Sequence, residues 1–187
     1  MDRGQLLKRI SSTSVVIIVL ALVAHASAGA LRNAVADRVA QPARDQLAAW
    51  SGVHAIALDP TQWQTCYLAL RRARAIAPND ADLALELGLV LRVRAQSSQS
   101  VPALAEALLG AAIDAFRDAV RLRPVSPFAW ANIAYAQHLR LTSGTSLLPA
   151  PARAAAEAER SRALERALRY GPNEPAIRHI AKEIVRK

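Results

Sequence analysis

The sequence feature that most constrains the fold is a spaced series of small and large apolar side chains that ends at a proline. A small residue is followed by a large apolar one four positions on, a small one three later and a proline five later. The residues are Ala112, Phe116, Ala119 and Pro124, then Trp130, Ile133 and Ala134 after a short turn. Small side chains let two helices approach closely, and proline stops a helix. The spacing therefore predicts stacked helical hairpins.

The same spacing occurs twice more in the chain. The matching residues are Cys66, Leu70, Ala73 and Pro78 in one copy, and Arg160, Leu164, Ala167 and Pro172 in the other. The three prolines lie 46 and 48 residues apart, so the period is nearly constant. Arg160 stands where a small residue is expected, which makes the last copy the weakest of the three.

Composition favours the same fold class. The chain is rich in Ala and Leu, has only 7 Gly, and has few aromatic or β-branched runs beyond its amino terminus, which suits helices. We predict an all-α protein with an N-terminal membrane helix followed by about three stacked antiparallel hairpins, the hairpins forming one domain over residues 59–187. About three repeats is the usual minimum for stability.

The hairpin pattern resembles the tetratricopeptide repeat, whose period is about 34 residues. The longer period here comes from about a dozen extra residues between the two helices of the second and third hairpins, at residues 96–110 and 141–156. Loop closure costs only about 0.6 kcal/mol more for each doubling of loop length, so hairpins tolerate such inserts. The resemblance covers about residues 60–187 and implies an α-solenoid of tetratricopeptide type.

The amino terminus predicts an export or anchor segment. Arg3, Lys8 and Arg9 precede an uninterrupted apolar run at residues 15–24, and Ala26-Ser27-Ala28 is typical of a signal-peptidase site. One interpretation is a signal peptide that is cleaved near residue 28. A buried helix of a cytosolic protein is a further alternative, but the run VVIIVLALVA has no polar face.

The interpretation that we favour is an uncleaved signal anchor. The apolar segment then covers residues 15–31, about seventeen residues, which is the lower limit for crossing a hydrocarbon core of about 30 Å. Because positive charge stays in the cytoplasm, the basic tail at residues 1–14 is expected to be cytoplasmic. The rest of the chain is expected on the periplasmic, extracytoplasmic side of a bacterial inner membrane, which the chain crosses once.

Residues 32–58 are predicted to form a helical stalk next to the membrane or a cap on the stack. An apolar residue at every fourth position extends the anchor helix: Leu31, Val35 and Val39. We expect Pro42 to perturb this helix and a second helical piece to carry Leu47 and Trp50. Asp59 followed by Pro60 at a first helical position predicts the start of the first hairpin.

Two sequence segments make the resemblance specific to one family. They are PFAWANIAYAQHLRL from Pro127 and ALERALRYGPNEPAIRHIA from Ala163. With the basic, apolar amino terminus, they are similar to the short membrane-anchored repeat proteins of bacterial exopolysaccharide biosynthesis, often called the VpsP type. That pattern usually has an aromatic residue where this chain has Asn173. The resemblance implies a membrane-anchored accessory protein whose partners are membrane components of polysaccharide assembly.

The sequence contains no catalytic or metal-binding constellation. Its histidines lie apart without partners at metal-ligand spacing: His25, His54, His138 and His179. It has no GxSxG, no HExxH and no phosphate-binding glycine loop. Cys66 is the single cysteine, which excludes an intramolecular disulfide and predicts a thiol packed between helices. We therefore predict no enzyme activity, no cofactor and no metal.

The chain is strongly basic, with a formal net charge of +9. A basic domain suggests an anionic partner, but the expected extracytoplasmic location argues against nucleic acid. Arg outnumbers Lys by 21 to 3, and such a skew beside abundant Ala is also explained by a GC-rich codon bias. The sequence leaves these two explanations open.

A partner-binding groove is predicted from the helix that begins at Pro127. Its packing face holds Trp130, Ile133, Ala134 and Gln137, and its other face holds Phe128, Ala131, Tyr135 and His138. The equivalent positions of the preceding first helix are Asp82, Leu85, Leu89 and Arg92. We predict a peptide-binding groove that contains Asp82, Leu89, Arg92, Phe128, Tyr135 and His138. The alternative is that these aromatic rings only pack on neighbouring helices or inserts.

The expected function is that of a non-catalytic extracytoplasmic scaffold that binds protein partners during exopolysaccharide biosynthesis or export. The polysaccharide part comes from the family resemblance alone. An adaptor of a secretion or pilus assembly machine is the alternative, with the same fold and location. The sequence indicates neither the partner's identity nor the oligomeric state.

Overall fold

The protein is built from helices and short turns. The computed structural model describes the backbone of residues 3–51, 58–143 and 148–186, and the side chains of 17–50, 58–143 and 148–186. Over these ranges it has seven helices and no strand, which confirms the predicted all-α class. The helices are α1 Arg3–Ser51, α2 Pro60–Ile76, α3 Ala81–Ser97, α4 Pro102–Leu122, α5 Pro127–Thr142, α6 Ala150–Tyr170 and α7 Pro175–Val185.

Aspartates and prolines set where the helices begin. Asp59 caps α2 by accepting a hydrogen bond from the Thr61 backbone N–H at 2.9 Å. Asp80 caps α3 by accepting from the N–H groups of Asp82 at 2.8 Å and Leu83 at 3.2 Å. Such caps satisfy N–H groups that have no partner within the helix. All helices from α2 onward except α3 have a proline in the first two positions, where its missing N–H costs nothing.

The predicted helix ends are confirmed. Helices α2, α4 and α6 each end two residues before one of the spaced prolines, Pro78, Pro124 and Pro172. A turn of four residues then leads into the next helix, at 77–80, 123–126 and 171–174. Because proline disfavours helical geometry at the preceding residue, the spacing of these prolines sets the length of the repeating unit.

Consecutive helices pack side by side, most extensively α3 with α4 and α5 with α6. Alternate helices also meet, since α3 contacts α1 and α5, and α5 contacts α7. The small and large residues of the first two copies are buried as predicted: Cys66, Leu70, Ala73, Ala112, Phe116 and Ala119. A Cβ placed on Gly88 of α3 would overlap the Phe116 ring. The close approach of α3 and α4 therefore depends on the absence of a side chain at Gly88.

The single cysteine lies inside this packing, as predicted. Cys66 is 4% exposed and its thiol donates a hydrogen bond to the Ala43 carbonyl oxygen at 3.4 Å. Burial, with a smaller contribution from the Glu86 carboxylate, raises the pKa of this thiol to about 11. The thiol is therefore protonated at neutral pH and packs as a small apolar group.

The residues of the first insert lengthen a helix instead of forming a long loop. In residues 96–110, α3 continues to Ser97 and α4 already begins at Pro102, so only four residues lie outside helix. In residues 141–156, α5 ends at Thr142 and α6 begins at Ala150, while residues 144–147 lie outside the described residues. The expectation of loop-like inserts is therefore wrong for the first insert, because α4 gains about two turns at its N-terminus.

Helix α1 does not break at Pro42, contrary to the expectation from sequence. It continues to Ser51 with Pro42 inside it, so Leu47 and Trp50 belong to the same helix. Its second half packs on the domain and buries Ala36, Ala40, Ala43 and Trp50 together with residues of α2. A proline removes one backbone hydrogen bond, and packing against neighbouring helices offsets that loss. Residues 52–57, with His54, lie outside the described residues.

The first half of α1 is apolar and exposed. The stretch Ile17–Trp50 is long and apolar enough to cross a membrane; its most apolar 18-residue window has a mean hydropathy of 1.5, and none of that window is buried. The exposed large side chains are Ile17, Ile18, Val19, Leu20, Leu22, Val23 and Leu31. By length and composition, α1 is a candidate membrane helix, and a signal sequence passes the same test. The side chains of Arg3, Lys8 and Arg9 lie outside the described residues.

Candidate partner-binding face

Three of the predicted groove residues meet where α3, α5 and α7 lie side by side. Arg92 of α3 has its guanidinium carbon 5.2 Å from the centre of the Tyr135 ring on α5. The Tyr135 hydroxyl donates a hydrogen bond to Glu183 Oε1 of α7 at 3.0 Å. The His138 ring stacks near Tyr135, with ring centres 6.4 Å apart. We call Arg92, Gln96, Tyr135 and Glu183 the Tyr135 cluster.

Polar contacts orient the arginine of this cluster. Arg92 Nη1 donates to Gln96 Oε1 at 3.0 Å, one helical turn along α3. Its Nε is buried and has no hydrogen-bond partner within the described part of the chain. A guanidinium above an aromatic ring gains roughly 0.5 to 2 kcal/mol, more as water is excluded. The Tyr135 ring therefore substitutes for part of the hydration that Arg92 loses on burial.

Burial sets the protonation behaviour of the cluster. Burial lowers the pKa of the Arg92 guanidinium, while Tyr135 and the Glu183 carboxylate oppose that shift. Burial also raises the pKa of the Tyr135 hydroxyl, and its hydrogen bond to Glu183 acts in the same direction. At neutral pH the tyrosine is protonated and the arginine charged. The cluster thus holds a fixed cation and a hydroxyl whose proton is donated to Glu183.

The structure separates the other predicted groove residues from this cluster. Asp82 lies ten residues before Arg92 on α3, about 15 Å along the helix axis, and both its oxygens accept hydrogen bonds from Arg123 at 2.8 and 3.0 Å. Phe128 is 41% exposed at the start of α5. Leu89 is half-buried against the core between α3 and α5. The described side chains therefore do not bring the six predicted residues together in one groove.

Helix α5 is largely buried on both the predicted packing face and the predicted groove face. Ile133, Ala134 and Gln137 are buried on the expected packing face. Ala131 and His138, from the face expected to line the groove, are also buried, and His138 is 1% exposed. Because α5 touches α3, α4, α6 and α7, little of it reaches solvent. On the second face Phe128 and Tyr135 remain accessible to a partner.

Glu183 is the functional candidate that sequence reasoning missed. It lies 48 residues from Tyr135, and only the packing of α7 on α5 brings the two together. A helical spacing of apolar residues at Ile177, Ile180 and Ile184 is visible in the sequence, and Ile177 and Ile184 are buried. That spacing would predict an amphipathic α7. It could not predict which polar residue of α7 meets Tyr135.

The described side chains include no group of three or more His, Cys, Asp or Glu that could hold a metal ion. The accessible chemistry of the α3, α5 and α7 side is a mixture of apolar surface, an aromatic ring and fixed charges. Over the described residues, these features define an all-helical protein with a candidate membrane helix. No protein-family description, curated protein or solved structure matches this chain.

Proposed function

We propose that this chain is a single-pass, membrane-anchored scaffold without catalytic activity, whose hairpins stack as in tetratricopeptide repeats. Its partner is a protein that binds the side formed by α3, α5 and α7. Following the sequence resemblance, we assign the scaffold to exopolysaccharide biosynthesis or export at a bacterial inner membrane. The domain lies on the extracytoplasmic side.

The contact of α3 with α5 and of α5 with α7 carries the proposal. In a stack of hairpins, the first helix of each hairpin lies beside the first helix of the next, which creates a continuous binding surface. Here that surface includes the half-buried Tyr135 cluster, and the exposed Phe128 ring lies about two helical turns before Tyr135 on α5. Aromatic and arginine side chains in partly desolvated settings are the residues that most often dominate binding energy at protein interfaces.

The exposed apolar half of α1 supports the membrane anchor. Ile17, Leu20, Leu22 and Leu31 are each more than 60% exposed. An apolar patch of this size in water is unfavourable and marks a membrane or protein contact. Because the described domain packs on the second half of α1 and leaves the first half uncovered, insertion into a bilayer explains the whole exposed stretch.

A topology reporter tests the anchor. A reporter that is active only outside the cytoplasm, fused after Lys187, should be active in cells that produce the full chain. A second fusion directly before residue 15 should be inactive with the same reporter, since the basic tail stays inside. Activity of the first fusion only in a cytoplasmic reporter format would refute the location. Release of the mature domain into the soluble fraction would show cleavage and refute the anchor.

Site-specific photo-crosslinking tests the partner. A photoreactive amino acid replaces Phe128, and in a matched variant it replaces Leu104 on α4, since both side chains are 41% exposed. We expect a membrane polysaccharide-assembly protein to crosslink at position 128 and not at 104. A component of a secretion or pilus machine at position 128 would favour the alternative adaptor role. Equal crosslinking at both positions would remove the α3, α5 and α7 side as the binding surface.

A further inference from the structure

Two aromatic rings of α2 and two arginines lie in a row, which we call the arginine–aromatic ladder. The Trp63 and Tyr67 rings are nearly parallel, with an interplanar angle of 10° and ring centres 5.1 Å apart. The guanidinium carbon of Arg94, on α3, lies 5.7 Å from the centre of the Trp63 ring. That of Arg71 lies 5.8 Å from the centre of the Tyr67 ring. Each ring of the ladder therefore has a cation against it.

Helix geometry fixes the order of the ladder. Trp63, Tyr67 and Arg71 lie four residues apart on α2, so they occupy successive turns over about 12 Å. The Trp63 indole N–H donates to the Val90 carbonyl oxygen of α3 at 2.9 Å. Because a short turn makes α3 run back along α2, Arg94, one turn beyond Val90, lies at the Trp63 end. The two guanidinium groups are therefore at opposite ends of the pair of rings.

The arginines of the ladder have no acidic partner among the described residues. Neither Arg71 nor Arg94 forms an ion pair there, whereas Arg74 of the same helix α2 is paired with an aspartate. The sequence has no acidic residue at positions 60–79 or 87–105, which include α2 and the second half of α3. A guanidinium that stacks on a ring can still bind a carboxylate through its N–H edge. The ladder is therefore complementary to an acidic ligand.

An exposed leucine lies beside the ladder on α2. Leu68 is 40% exposed, and along the helix axis it lies between Trp63 and Arg71. A purely hydrophilic polyanion gains little by covering this side chain, whereas a peptide with an apolar side chain removes it from water. The steps of the ladder measure 5.7, 5.1 and 5.8 Å, and an extended peptide of five or six residues spans about 17 to 20 Å. A short extended segment is therefore long enough to reach both cations.

We propose that the ladder docks an extended acidic segment of a partner protein, in which two carboxylates flank an apolar side chain. One carboxylate pairs with Arg94 and the other with Arg71, and the apolar side chain covers Leu68. Side chains two residues apart lie on the same face of an extended chain, so all three can face α2.

The ladder is separate from the Tyr135 cluster. Arg92, which contacts the Tyr135 ring, and Arg94 are two residues apart and therefore point to nearly opposite sides of α3. The proposal thus requires neither the membrane anchor nor a partner on the side formed by α3, α5 and α7. A failure of either would leave the ladder untouched.

Calorimetric titration of the full chain in an uncharged detergent tests the proposal with a defined peptide. The probe is Glu-Thr-Leu-Thr-Glu, acetylated and amidated so that the glutamates are its only charges. We expect saturable binding that weakens as salt increases and that is lost when both glutamates are replaced by glutamine. Arg71→Gln and Arg94→Gln should each weaken binding about tenfold, as loss of one charge-assisted contact predicts.

Arg72→Gln is the matched control for these variants. Arg72 is exposed, is next to Arg71 and stacks on no ring in the described part of the chain. Its loss removes the same charge from the same helix, and it should weaken binding by no more than about twofold. Circular dichroism checks that every variant keeps its helices. Equal effects of Arg71→Gln and Arg72→Gln in folded protein would overturn the ladder as the docking site.

Paired substitutions in protein and peptide test whether each arginine binds one particular glutamate. A peptide with one glutamate replaced by glutamine should become insensitive to one of the two variants, Arg71→Gln or Arg94→Gln, and stay sensitive to the other. Unchanged sensitivity to both would overturn the proposed pairing. Tighter binding of an oligogalacturonate with two carboxylates, or of vesicles that contain phosphatidylglycerol, with the same dependence on Arg71 would overturn a protein segment as the ligand.

Discussion

The hairpin of α3 and α4 and the hairpin of α5 and α6 follow the same sequence spacing but are stabilised differently. Helix α4 buries large side chains, among them Leu109, Ile113 and Phe116. The buried residues of α6 are three alanines, Ala156, Ala163 and Ala167. Since apolar stabilisation grows with the area removed from water, we expect the two interfaces to differ in strength although α4 and α6 each have 21 residues. The spacing of small residues determines how closely helices approach, and the large residues determine how much that approach stabilises.

Polar and aromatic contacts compensate in the hairpin of α5 and α6. Glu159 of α6 accepts hydrogen bonds from Arg117 of α4 at 2.7 and 2.9 Å and from the buried Gln137 of α5 at 2.5 Å. The Arg166 guanidinium carbon lies 4.5 Å from the centre of the Trp130 ring. These contacts link three helices. The hairpin of α5 and α6 therefore depends on the placement of charges, whereas the hairpin of α3 and α4 depends on the packing of the Phe116 ring.

The largest expected contrast is between Phe116 and Leu164, which occupy the same position of the repeated spacing. Phe116 is fully buried and Leu164 is half-buried. Phe116→Ala should lower the free energy of unfolding by about 3 to 5 kcal/mol, and Leu164→Ala by about 1 to 2 kcal/mol. Chemical denaturation monitored by circular dichroism measures both. Equal losses would show that the two hairpins pack alike, contrary to the comparison.

Two glycines of the α3 and α4 hairpin test how closely its helices pack, and we expect smaller changes in the free energy of unfolding than for Phe116→Ala. Gly88→Ala forces a methyl group into the Phe116 ring, and overpacking of this kind costs about 1 to 3 kcal/mol. Gly110, inside α4, has nothing within 4 Å of its added Cβ. Gly110→Ala should therefore stabilise by roughly 0.5 to 1 kcal/mol through the better helix propensity of alanine. Thermal unfolding of both variants shows whether each substitution stabilises or destabilises the protein. A stabilising Gly88→Ala would mean that α3 and α4 do not approach each other as closely as the structure indicates.

The spacing of the prolines and small residues was sufficient to predict where α2, α4 and α6 end and that Phe116 and Leu70 are core residues. These are local properties, since a proline stops a helix and a helical period selects one face. Residues that are close together in the sequence are thus sufficient to predict which side chains of the first two copies are buried.

Long-range packing could not be predicted in the same way. The continuation of α1 through Pro42 depends on its burial against α2, which offsets the lost hydrogen bond. The Tyr135 cluster depends on α7 reaching back to α5 over 48 residues, and periodicity contains no information about that register. His138 is buried on α5, which contacts four other helices. Such features need tertiary coordinates, because each is decided by residues far apart in the chain.

Removing the Glu159 contacts should have a moderate effect. Glu159→Gln keeps the shape and one acceptor oxygen but loses the charge that Arg117 contacts, so it should cost about 1 kcal/mol at pH 7. Asp114→Asn is the matched control, because Asp114 forms an exposed ion pair with the same arginine at 2.8 Å. Exposed pairs contribute little, so the control should be close to neutral in urea unfolding. If Asp114→Asn lowered the free energy of unfolding as much as Glu159→Gln, the loss would come from surface charge in general and not from the Glu159 contacts.

The smallest expected effect is on how stability depends on pH. One glutamate in each of the two hairpins should contribute to it, and the two contributions should have opposite signs. Burial alone would raise the pKa of Glu159, but its hydrogen bond and attraction to Arg117 are stronger in sum and lower it. Its stabilisation is complete above the unfolded value of about 4.3 and is lost as pH falls through the folded pKa.

Glu86 of α3 behaves in the opposite way. Burial raises its pKa although Arg44 donates to it at 2.7 Å, and its Oε2 has no hydrogen-bond partner in the described part of the chain. Its folded state therefore binds a proton more readily than the unfolded state, and stability falls as pH rises from about 4.3 through the folded pKa. Urea unfolding between pH 3 and pH 7 should show a flatter acid loss in Glu159→Gln and a smaller decline toward neutral pH in Glu86→Gln. If both variants changed the curve in the same direction, the two hairpins would not differ in how they use buried charge.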